Sequence, residues 1–147
     1  MQLSKQTDPH DGSSCELVFD EANSWIHAIW RGYVDPQEAY RGAAGFLAAM
    51  QTLRCPYLLN DNSQVQGPWF DSVEWLRLVW GPRAAQLGLR YIAHVMSPPQ
   101  LGEATLGQQY FGKDLQLQLF DDVASAEEWL RSRRANEPRT TAADSLE

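Results

Sequence analysis

The sequence predicts an α/β domain with a mostly parallel sheet, and three observations carry that prediction. Strand-like runs alternate with helix-length segments in the order β-β-α-β-α-β-α-β-α, the pattern of βαβ units. The run Trp25 to Trp30 is apolar on both faces, as a central strand covered on two sides must be. Helix starts are marked by capping boxes at Asp35/Glu38, Asp71/Glu74 and Ser125/Glu128. About five strands are expected in one mixed sheet, with helices packed on it.

Residues 1–14 are polar, with Pro and Gly, and read as a flexible leader. Cys15 to Phe19 and Trp25 to Trp30 read as a hairpin, joined by the turn-forming run Asp20-Glu21-Ala22-Asn23-Ser24. Asp35 as cap, Pro36 at the first helical position and the apolar period Ala39, Ala43, Phe46, Leu47, Met50 predict a helix ending near Leu53. Tyr57-Leu58-Leu59 reads as a short buried strand, and Asn60-Asp61-Asn62-Ser63-Gln64 as a polar loop after it. A helix is predicted from Asp71 to about Trp80. It is interrupted at Gly81-Pro82, resumes to Leu87 and is closed by Gly88. Leu89 to Met96 is a β run, and residues 100–110 read as a shorter helix. Leu115 to Phe120 alternates as a half-buried strand nearer an edge, and Trp129-Leu130 is the apolar side of a terminal helix. The single domain spans 15–134, and 135–147 is a disordered polar tail.

Composition narrows the function classes. The 147 residues are 44% hydrophobic and 21% charged, ordinary for a globular domain, with six tryptophans. A net charge of -7 argues against nucleic acid, whose phosphates need clustered Lys and Arg. The basic run Arg131, Arg133, Arg134 reads as a complement to a helix dipole. No apolar run approaches the length of a membrane span, and Met1 to Ser14 lacks the apolar core of a signal peptide. Two cysteines, Cys15 and Cys55, are too few for a disulfide framework, so a reducing cytoplasm is the expected location.

The segments Tyr57-Leu58-Leu59-Asn60-Asp61, Trp75-Leu76, Arg90-Tyr91-Ile92-Ala93-His94-Val95 and Phe120 through Ala126 to Trp129-Leu130 resemble the SpoIIAA-like group of bacterial STAS domains. The resemblance covers roughly residues 15–134 as a pattern of apolar and aromatic positions. It implies a non-enzymatic regulatory or scaffold domain with no cofactor. In that family's anti-sigma-factor antagonists, a Ser at the start of the helix after the third strand is phosphorylated. The matching position is Ser72, although Val73-Glu74-Trp75 replaces the small residues that usually follow it.

Around the predicted helix from Asp71, Val73, Leu76 and Trp80 fall on one side, and Trp75, Leu78 and Val79 largely on the other. A helix without a polar face is buried on all sides or bound by something. Either residues 64–69 or the neighbouring helix covers it, or it forms an interaction surface through Trp69, Phe70, Trp75, Leu78 and Trp80. The partner would then be a protein, including a second copy in a homodimer, or an apolar small ligand. Asn60, Asp61, Asn62 and Ser63 with Asp71 could hold a cation or a polar ligand, or simply cap their own loop. His27 and His94, both mid-strand, read as satisfied core histidines, since no third ligand is spaced to make a metal site. Self-association leads; an apolar-ligand or lipid carrier and an enzyme are the alternatives.

Overall fold

The computed structural model describes residues 1–10, 12–66, 76–96, 108–110 and 115–136. Among these are seven strands: β1 (Gln2–Thr7), β2 (Ser14–Asp20), β3 (Trp25–Gly32), β4 (Tyr57–Val65), β5 (Tyr91–Val95), β6 (Gln108–Tyr110) and β7 (Gln116–Phe120). Three α-helices accompany them: α1 (Pro36–Leu53), α2 (Gly81–Gln86) and α3 (Val123–Asn136), with a π-helical turn Leu76–Trp80 leading into α2. The strands form one mixed sheet in the order β1-β2-β3-β4-β5-β7-β6. The centre, β3-β4-β5-β7, is parallel; β1-β2-β3 and β6-β7 are antiparallel. The α/β class is therefore observed, with two strands more than the five expected.

Both extra strands lie at edges, where little hydrophobicity is required. Residues 2–7, expected as a loose leader, pair with β2, and Gln2 and Gln6 bond across to Glu16 and to the Arg41 carbonyl. Lys5 on this outer strand is a charge of the kind that discourages edge-to-edge pairing. Residues 108–110, expected within a helix, instead pair antiparallel with β7. That moves β7 one place in from the edge.

The helices divide between the two faces. Alternation across the paired strands puts Leu17, Ala28, Asn60 and His94 on one face, and Trp25, Leu59, Asp61 and Ala93 on the other. The first face meets α1, where a Cβ at Gly42 would overlap the Trp30 ring. Trp80 bonds the Ala43 carbonyl at 3.0 Å and lies 5.5 Å from the Phe46 ring, which fastens α2 to α1. The second face meets α3, whose Trp129 packs on Tyr91 and Phe120. The predicted capping box of α1 forms in full: Asp35 accepts from the Glu38 N–H and Glu38 reaches back to the Asp35 N–H. Helix α3 begins two residues before Ser125, because Asp122 is the residue that caps it, accepting from the Ser125 N–H at 2.7 Å.

Candidate functional site

The run Asn60 to Gln64, expected as a loop, continues β4 to Val65 and pairs with β3 as far as Gly32. Asn and Asp are poor strand formers. Asn60 and Asp61 are held here because the neighbouring strands supply polar partners. On the α1 face the Trp30 indole N–H donates to Asn60 Oδ1 at 2.8 Å, and Asn60 Nδ2 lies 2.9 Å from His94 Nδ1. On the α3 face His27 Nε2 lies 3.1 Å from Asp61 Oδ2. The other Asp61 oxygen accepts from the Ser63 N–H at 3.0 Å and the Ser63 hydroxyl at 2.6 Å. The two mid-strand histidines thus flank the same strand from opposite faces.

Burial sets the electrostatics of this centre. His94 is 4% exposed, and the loss of water outweighs the attraction of Asp61, so its pKa falls to about 4 and the ring is neutral at pH 7. Burial alone would raise the Asp61 carboxyl. The hydrogen bonds from His27 and Ser63 outweigh it and hold the group below its usual range. Asp61 is therefore an anion already committed to its own neighbours, and Asn60 and Asn62 lie in a strand rather than a ligand loop. Asp71 lies outside the described residues.

The order of groups also limits the chemistry. A nucleophilic triad places the imidazole between hydroxyl and carboxylate, so that the ring can take the hydroxyl proton. Here the carboxylate stands in the middle, and the Ser63 hydroxyl donates to Asp61 rather than to a base. The cysteines are equally unsuited to attack. Burial, helped by the charge of Glu16, pushes the Cys15 thiol up to about 12, and burial likewise raises Cys55.

A second polar cluster was not anticipated. Asp8, Asp35 and Glu38 bring carboxylate oxygens within 4.8 Å of one another at the start of α1. Three such groups have the chemistry to hold a hard cation. They already have partners, however: the Ser13 hydroxyl donates to Glu38, and the His10 N–H donates to Asp8. Burial and the Asp35 and Asp8 charges raise the Glu38 carboxyl against the lowering effect of its hydrogen bonds. The signal for this cluster lay in the capping box itself, but its third member comes from the segment read as a leader.

Of the expected interaction residues, Trp69, Phe70, Ser72 and Trp75 lie outside the described residues. Trp80 is a correction: it is 5% exposed, because its ring fills the space between α1 and α2. Leu78 and Val79 are 64% and 45% exposed. In this turn Trp80 thus faces inward while Leu78 and Val79 face solvent. The basic residues of α3 are also more than dipole complements. Arg131 lies over the Trp25 ring and Arg133 over Trp129, while Arg131 and Arg134 both bond Asn23 in the β2–β3 turn. No helix among the described residues is long and apolar enough to cross a membrane. No protein-family model matches the chain, and no curated protein matches it.

Proposed function

We propose that this chain is a non-enzymatic, STAS-like interaction domain that associates with a second copy of itself through the aromatic segment 69–80. The observation that carries the reading is the turn Leu76–Trp80. Trp80 is locked inward, so the backbone is fixed, and that fixed backbone holds Leu78 and Val79 out into solvent. Exposed apolar side chains carried on a fixed backbone are what a protein-binding surface requires. The order Ser63–Asp61–His27 and the protonated thiols favour binding over catalysis. The STAS resemblance adds phosphorylation of Ser72 as a means of regulating that surface, since a phosphate there would bring charge into an apolar contact.

Size-exclusion chromatography with light scattering tests the reading. The wild-type chain should run as a dimer that dissociates on dilution, and the double variant L78S/V79S as a folded monomer. A wild-type monomer at every concentration tried would sink self-association. If such a monomer also retained a non-protein mass in native mass spectrometry, an apolar-ligand carrier would replace it.

A further inference from the structure

We propose that Trp30, Asn60 and His94 form a one-way hydrogen-bond relay that fixes His94 as its Nε2–H tautomer and makes the middle of the sheet an acid-sensitive catch. The direction follows from which groups can donate. An indole N–H only donates, so the Asn60 atom 2.8 Å from it is the amide oxygen. The Asn60 NH₂ must then point the other way, at His94 Nδ1, 2.9 Å distant. An amide NH₂ also only donates, so Nδ1 is the acceptor and the ring proton of neutral His94 is on Nε2.

Adding a proton to Nδ1 sets it against the Asn60 NH₂, two donors facing each other. Flipping Asn60 does not relieve this. The flipped oxygen would serve His94, but the NH₂ would then meet the Trp30 N–H, again donor to donor. Each orientation of Asn60 leaves one part-buried contact broken, and the three residues sit on β3, β4 and β5, the centre of the sheet. Among the described residues Asp61 favours protonation of His94, but the desolvation of the ring outweighs it. On the next strand His94 faces Leu119. Of the buried residues of α1 and α2, Phe46, Met50 and Ala84 are uncharged, and Glu38, the buried titratable group of α1, is engaged by Ser13. The catch therefore stays closed at neutral pH and opens in acid.

Two measurements on the full chain test this. Long-range ¹H–¹⁵N spectra at neutral pH should show His94 with a bare Nδ1 and a protonated Nε2; an Nδ1–H tautomer or an imidazolium would overturn the proposal. In W30F the donor to Asn60 is lost, Asn60 can flip without penalty, and its oxygen can accept from a protonated Nδ1. The His94 titration should then move upward by about one pH unit or more, tenfold in proton affinity. An unmoved His94 titration in folded W30F would show that no relay operates. The wild-type spectra decide the tautomer even if W30F does not fold.

Discussion

Trp30 is the residue on which most of the central geometry turns, because it is held from two sides. Its N–H bonds Asn60, and its ring edge occupies the space that a side chain at Gly42 would need. G42A should therefore cost more than an alanine placed in a helix normally would. A glycine-to-alanine change in a helix is otherwise stabilising by up to about 1 kcal/mol. Here the ring must shift and drag its N–H from Asn60, an overpacking cost of about 1–3 kcal/mol. Urea unfolding should show G42A less stable than wild type; a variant of equal or greater stability would mean that the ring yields freely. Part of this was legible in the sequence. Two histidines mid-strand must find polar partners if buried, and Asn60 and Asp61 follow an apolar strand. Propensity nonetheless favours reading that run as a loop, and only the register Ala28–Asn60–His94 reveals that its polar side chains complete the sheet.

At the scale of elements, α1 was the most legible because its signals are local. Asp35, Pro36 and Glu38 specify the start without reference to the rest of the chain, and the structure forms that box in full. D35A should cost about 1 kcal/mol in chemical denaturation, since the Glu38 N–H loses its acceptor, whereas D35N should keep most of the stability. The two variants share a second effect: removing the Asp35 charge should bring Glu38 down toward the ordinary carboxyl range, measurable by NMR titration. A D35A variant as stable as wild type would indicate that Ser13 and Asp8 hold the helix start unaided. The edge strands were illegible for the opposite reason. Gln2–Thr7 and Gln108–Tyr110 carry little apolar alternation, and their strand state comes from pairing with β2 and β7. Nonlocal hydrogen bonds of that kind leave no periodic mark. The arginines of α3 show the same limit. Their place near a helix end is visible in sequence, but their grip on Trp25, Trp129 and the β2–β3 turn depends on how the sheet and helix meet.

For the whole molecule, the buried titratable groups set a stability window. His94 has a folded pKa of about 4 against an ordinary value of 6.5, so the folded state resists a proton that the unfolded chain accepts. Its contribution is complete above pH 6.5 and is lost as pH falls toward 4, on the order of 3 kcal/mol. Asp61, held below its ordinary 3.8, acts in the same sense at lower pH still, as protonation breaks its bonds to His27 and Ser63. Glu38 works against both. Its raised carboxyl binds a proton more readily in the folded state, so it adds stability as pH falls through its titration. On the alkaline side, Cys15 is a thiol up to about pH 12 when folded but ionises from about 9 when unfolded, so stability declines above 9. Urea midpoints measured across pH should therefore form a plateau between about 6.5 and 9. H94Q, which cannot titrate but can still accept from Asn60 through its amide oxygen, should lose most of the slope between 6.5 and 4 while keeping the alkaline limb. An acid slope unchanged in H94Q would mean that His94 does not set this limit, and that the carboxyl groups alone bring the sheet down.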